Sequence, residues 1–231
     1  MTYNIRHGRG VDGKVDLGRI ADVIAAHDPD LVALQEVDAG RLRSGAVDQA
    51  DRLALRLAME PRFVPCISSH GGHYGIATLS RLPLRAHHHT ALPADLGRWS
   101  EPRYALTTRV EWKGGEVELV NTHLSLRPGE RLAQAVALAA ALHVEDDVVV
   151  CGDLNCTPRS APYRLLVDEL REIPVRPTWP ARLPVLRLDH VLYRGRLAVV
   201  HGATDGGRGA RRASDHLPVV ATFRAADGAP P

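Results

Sequence analysis

The sequence predicts an α/β fold in which two β-sheets pack face to face with helices outside. Three observations predict it. Short runs of β-branched and aliphatic residues recur along the 231-residue chain and read as buried strands. Helical periodicity appears near both halves. The middle of the chain is rich in hairpins, which fits a sandwich better than a doubly wound sheet.

Met1 to Ile5 reads as the tail of a strand, followed by a glycine-rich turn from Gly8 to Gly13. Leu17, Ile20, Ala21, Val23 and Ile24 make one face of a helix over Asp16–His27, ended by Pro29. Leu31 to Glu36 is the next strand, completing a strand–helix–strand unit. A second amphipathic helix covers Asp48–Met59. Phe63–Cys66, Tyr74–Ser80, Ala105–Trp112 and Glu116–Asn121 then read as strands, with a hairpin at Gly114-Gly115. Arg131–His143 is a third helix, Val148–Cys151 a buried strand and Ala161–Leu170 a short helix. Leu188–Tyr193, Leu197–Gly202 and Leu217–Phe223 complete the strands. Gly202 to Ala213 reads as a flexible basic loop, His87-His88-His89 as a loop of solvated histidines, and Gly71-Gly72 as a mobile loop. Trp99 and Trp179 read as packing residues near loops of the site. One domain is expected over 1–224, with a frayed tail at 225–231.

A 45% hydrophobic fraction supports a sizeable core and argues against disorder. The net charge of +2 does not demand nucleic acid and suits any anionic substrate. Cys66, Cys151 and Cys156 follow no zinc spacing, so reduced thiols and a cytoplasmic protein are expected. Neither a secretory segment nor an apolar run of membrane-spanning length is visible, and a monomer is expected. Met1 lies so close to Asn4 that the first strand is expected to belong to a chain starting earlier.

The apolar runs lead into residues suited to metal or phosphate chemistry: LVALQEV with Glu36, VELVNTHL with His123, VVVCGDLN with Asp153 and Asn155, LRLDHVLY with Asp189, and SDHLPVVA with Asp215 and His216. A polar group at a strand end sits on a rigid element, and several at one sheet edge would make a hydrolytic metal site. Mg²⁺ takes hard oxygen ligands, so Glu36 and Asp215 are candidate ligands and Asn4 offers an amide oxygen. In GDLNCTP the apolar strand is expected to stop at Gly152, with Asp153 and Asn155 on one face of an extended segment, orienting water and phosphate. An Asx turn closing the strand is the alternative. His216 needs an acceptor on its second nitrogen, and Asp189 is its expected partner. His123 is a second imidazole, placed to serve the leaving oxygen, with Asn121 on its face. Arg103 is expected to clamp a substrate phosphate, and Arg6 reads as a surface guanidinium. The missing G-x-S-x-G string argues against a serine esterase.

Taken in order, TYNIRHG, LVALQEV, YGIATLSRLPL, EPRYAL, VNTHL, GDLNCTP, RLDHVLY and SDHLPVVA resemble the endonuclease/exonuclease/phosphatase superfamily with its deoxyribonuclease-I-like fold. The resemblance implies a four-layer α/β/β/α sandwich and Mg²⁺- or Mn²⁺-dependent hydrolysis of a phosphate ester. By position, it implies that Asn4, Glu36 and Asp215 hold the metal region. Asp153 and Asn155 would align the nucleophile, His216 with Asp189 would act as base or phosphate ligand, and His123 would serve the leaving side. The chain has Ile5-Arg6 after Asn4 where abasic-site nucleases resemble N-x-D, which weakens a repair reading. A phosphodiesterase or endonuclease is expected, with nucleic acid as one possible partner. A phosphatase or phosphodiesterase on lipid headgroups or small esters is the alternative, followed by an inactive binding protein of the same fold.

Overall fold

The computed structural model describes residues 1–69, 71–95, 100–142 and 147–226. Trp99, the end of the expected third helix at His143 and most of the expected tail lie outside the described residues.

The first sheet has six strands in the order β11-β12-β1-β2-β4-β3. These are β1 (Thr2–Asn4), β2 (Leu31–Ala39), β3 (Glu60–Ser69), β4 (Gly72–Ser80), β11 (Leu197–Thr204) and β12 (Val219–Ala225). The second sheet has the order β5-β6-β7-β8-β10-β9. Its strands are β5 (Leu84–Leu92), β6 (Arg103–Trp112), β7 (Gly115–His123), β8 (Val148–Asp153), β9 (Arg171–Glu172) and β10 (Asp189–Arg194). Helices α1 (Leu17–Ala25), α2 (Gln49–Leu57) and α5 (Arg208–Ala213) bury their apolar side chains against the first sheet. Helices α3 (Pro128–Ala140) and α4 (Ala161–Glu169) cover the second. Val110, Leu119, Val149, Cys151, Val191 and Val219 fill the space between the sheets. The result is the expected four-layer α/β/β/α sandwich.

Local chemistry explains the boundaries. Asp16 and Asp48 cap α1 and α2 by accepting from the amides of Arg19 and Asp51. Lys113 and Gly114 both have positive φ and make the two-residue turn between β6 and β7, one residue before the expected Gly-Gly pair.

Three loop readings and one strand end are corrected. His87, His88 and His89 lie on β5, an exposed edge strand paired with β6; alternation is hidden there because both faces are polar and solvated. The basic segment 202–213 is not a flexible loop: it completes β11 and forms α5, whose Ala210 and Ala213 anchor it in the core. Gly72 belongs to β4, paired with Ser69, so the Gly71-Gly72 loop is part of a hairpin. The strand does not stop at Gly152. β8 continues to Asp153, and Gly152 is required because a Cβ there would lie 1.9 Å from the Thr122 carbonyl oxygen of β7.

Candidate active site

Strand register assembles the site. In the second sheet His123 pairs with Asp153 across β7 and β8, and Asp153 pairs with Asp189 across β8 and β10. Three candidate site residues therefore stand in one row at the same level of neighbouring strands. In the first sheet Asn4 pairs with Gln35, beside Glu36. Glu36 has a positive φ of 57° and sits where the β2–β4 register shifts, so a bulge turns its carboxylate out of the regular alternation.

The two rows meet through Asn4. Its amide nitrogen donates to Glu36 Oε1 and to Asp153 Oδ2, both at 3.0 Å. Its oxygen accepts from the Arg6 amide at 3.1 Å, and its carbonyl accepts from Ser214 Oγ at 2.8 Å. Asn4 thus turns its nitrogen, not the expected oxygen, toward the carboxylates. A second buried bridge lies behind it: Asn121 donates to the Leu34 and Ala77 carbonyls and accepts from Gln35.

Asp153 Oδ2 is the centre of the arrangement. His123 Nε2 lies 3.5 Å from it and His216 Nε2 3.7 Å. His216 Nδ1 donates to Asp189 Oδ2 at 2.9 Å, the pairing expected from sequence, which leaves Nε2 facing Asp153. Asp189 is buried and its amide donates to Thr178 Oγ1. Thr178 carried no sequence signal, being one polar residue in a Pro-rich loop. Asn155 departs from the expected geometry. Its backbone is left-handed, its amide donates to Asp153 Oδ1 at 2.9 Å, and its side chain donates to the Leu124 carbonyl. The segment beyond Asp153 is therefore a turn, and Asn155 supports Asp153 through the main chain rather than lying beside it on one face. Asp215 sits at the rim, with Oδ2 3.4 Å from Arg6 Nε, so Arg6 is a neighbour of the site and not a remote surface guanidinium. Arg103 is buried, pairs with Glu101 at 2.8 Å and keeps a buried Nε with no protein acceptor.

Burial sets the charges. Desolvation raises the Asp153 carboxyl to about 7 against the pull of the His216 charge. Desolvation likewise raises Glu36, with the Asp215 charge adding to it. Burial, then the nearby charges of Arg103 and His216, hold His123 well below the ordinary imidazole range, so it is neutral. Burial pulls His216 down, yet the carboxylates of Asp189 and Asp153 outweigh it and lift the imidazole to about 10. The site gathers the carboxyls of half-buried Glu36 and of buried Asp153 and Asp189, and the raised Glu36 and Asp153 carboxyls would be returned to their ionised form by a hard divalent cation. Ligating atoms of Asp153, Asp189 and His216 also lie within 4.8 Å of one another. Asp189 and His216 already bind each other, which makes Glu36 the better anchor for an ion.

The model of the Endonuclease/Exonuclease/phosphatase family matches residues 1–216. The chain belongs to this family. Among solved structures of similar fold is an endonuclease/exonuclease/phosphatase from Beutenbergia cavernae, 26% identical, with a TM-score of 0.78, covering 97% of this chain and 70% of that one. The human Nocturnin catalytic domain with bound sulfate is 23% identical, with a TM-score of 0.74 and coverage of 96% and 91%. A mannosyl-6-phosphatase from Bacteroides thetaiotaomicron is 16% identical, with a TM-score of 0.73 and coverage of 96% and 98%. No curated protein matches the sequence. Among the described residues no helix is long and apolar enough to cross a membrane.

Proposed function

We propose that the protein is a divalent-metal-dependent phosphoesterase, of phosphodiesterase or endonuclease type, acting by in-line attack of water on phosphorus. The observation that carries this reading is the single oxygen, Asp153 Oδ2, approached by Asn4, His123 and His216 from both sheets. Mg²⁺ or Mn²⁺, when held by Glu36 and Asp215, supplies Lewis-acid stabilisation of charge on the phosphoryl oxygens.

The protein's own groups do the rest. Asn4 fixes Glu36 relative to Asp153. Asp153, raised toward neutrality, takes the proton of the attacking water, a task that favours a pKa near the working pH. Asp189 keeps the His216 imidazolium oriented, so that Nε2–H donates to a phosphoryl oxygen. Neutral His123 serves the leaving oxygen through its Nε2–H. Asn155 holds Asp153 in place through its amide. Arg103 offers its unpartnered Nε–H to the phosphate. That buried cation also favours a second reading, a phosphomonoesterase, because a terminal phosphate carries the extra negative charge that Arg103 would offset.

Asp153→Ala, His216→Ala and Glu36→Ala should each lower metal-dependent turnover by about 10²–10³-fold while the fold survives. A panel of phosphomonoesters and phosphodiesters assayed with Mg²⁺ and Mn²⁺ separates the two readings. Variants that hydrolyse the parent's best substrate of the panel as fast as the parent would sink both.

A further inference from the structure

The loops leaving the site end of the sandwich carry apolar side chains in water. Leu183, Val185 and Leu186 are 73%, 63% and 37% exposed, with Pro184 half-buried between them. Leu126, three residues after His123, is 72% exposed, and Leu42, six residues after Glu36, is 81% exposed. Single exposed leucines on outer helix faces, such as Leu55, are ordinary. A run of exposed apolar residues on a rigid loop is not, and it marks an interaction surface.

The loop is rigid. Its Thr178 and Trp179 amides donate to the Leu186 carbonyl, and the Val185 amide donates to the Trp179 carbonyl. It is also tied to the site: the Ala181 amide donates to the Asp215 carbonyl at 2.7 Å, and the Leu217 amide to the Thr178 carbonyl at 2.9 Å. Its exposed charge is positive. Arg176 and Arg182 stand in water on the loop, while Arg187 is paired with Glu172 at 2.9 Å. Helix α5 adds Arg208 and Arg211, with Arg212 paired to Asp12 at 3.5 Å, and leans on the loop through Arg211, which donates to the Ala181 and Arg182 carbonyls.

We propose that the Arg182–Leu186 tip, with Leu126 and Leu42 beside the site, docks on an anionic lipid surface and turns the site toward it. Apolar tips enter the headgroup boundary while an arginine collar meets anionic headgroups, each cation adding to the attraction. The docking stands on the loops alone. That the docked site then meets the phosphoester of a lipid headgroup rests on the function proposed above.

The test is co-sedimentation of the metal-free full chain with vesicles of phosphatidylcholine alone or with 30 mol % phosphatidylglycerol. Binding needs no turnover, so its failure leaves the phosphoesterase reading standing, whereas loss of turnover on every soluble ester leaves the docking standing. The parent should partition at least tenfold more strongly to the anionic vesicles. Raising salt should weaken binding, and the exposed-site variant Leu183→Ser/Val185→Ser should lower it at least tenfold, with unchanged melting temperature and near-ultraviolet dichroism. Equal partition to both vesicle types, or binding that the double variant retains, overturns the proposal. So does a dimer in sedimentation velocity that the double variant abolishes, because the tip would then be covered by a second copy.

Discussion

Gly152→Ala is the sharpest test of how the strands build the site. A Cβ at this position would stand 1.9 Å from the Thr122 carbonyl oxygen and 2.9 Å from its carbon, both main-chain atoms that cannot rotate away. To restore van der Waals distance β7 and β8 must part by on the order of 1.5 Å. The backbone at Gly152 also has φ of +148°, a region that side-chain-bearing residues rarely adopt. Overpacking costs about 1–3 kcal/mol and a strained backbone about the same again, so the sum is roughly 2–6 kcal/mol. For a domain of this size that lowers the melting temperature by at least about 4 °C. Thr122 and Gly152 are the rung just before His123 and Asp153, so the parting acts directly on their 3.5 Å separation. Misplacement by about 1 Å is enough to lower turnover roughly 10²-fold. Differential scanning calorimetry and bis-p-nitrophenyl phosphate turnover read the two effects. Gly129→Ala is the control, since nothing lies within 4 Å of its added methyl group. A Gly152→Ala protein that melts with the parent and turns over as fast would refute the argument that register and close approach set the catalytic geometry.

Asp189→Asn should lower kcat by about 10²–10⁴-fold with a smaller change in KM, because His216 loses the partner that orients and charges it; steady-state kinetics and the titration of His216 by NMR check both parts. Metal affinity should weaken as pH falls below about 7, because an ion favours ionised Asp153, whose proton the fold otherwise retains; calorimetry in two buffers of different ionisation enthalpy should detect proton release above background below that pH and little above it. Burial holds His190 at about 4, below its ordinary 6.5, while its Nε2 donates to the Cys156 carbonyl. The unfolded chain then binds more protons between those values, so the stability is full above 6.5 and is lost as pH falls toward 4, by at most roughly 3 kcal/mol. Urea unfolding at pH 7 and pH 4.5 should show this loss in the parent and a smaller one in His190→Gln.

The layers were legible because their signals are local. Apolar runs at Leu31–Val37 and Val148–Cys151 admit little besides buried strands, and α1 and α2 announce themselves by period and by capping aspartates. The His216–Asp189 pair was legible because an imidazole before a strand needs an acceptor on its second nitrogen, and LRLDHVLY offered a carboxylate at the head of another strand. Other features depend on facts that no local pattern holds. The turn at Asn155 and the bulge at Glu36 arise from left-handed residues, which sequence alone does not mark unless they are glycine. The inward-facing nitrogen of Asn4 follows from Arg6 claiming its oxygen, a contact set by tertiary packing. Thr178 supports Asp189 from a loop eleven positions earlier, and nothing in PTWPARLP points toward a carboxylate. Strand β5 was missed because an edge exposed on both faces loses the alternation that burial imposes.

The second sheet is formed wholly by Leu84–Arg194, a continuous excursion between the two portions of the chain that make the first sheet. Asp215 and His216 follow that excursion, and β12 must then dock antiparallel beside β1, which left the ribosome some two hundred residues earlier. Such long-range closure is slow compared with hairpin formation. A nascent chain therefore has both sheets largely available before it possesses its last imidazole. Asp153 therefore gains its last neighbour, the His216 imidazole, only after every strand of the second sheet has been made.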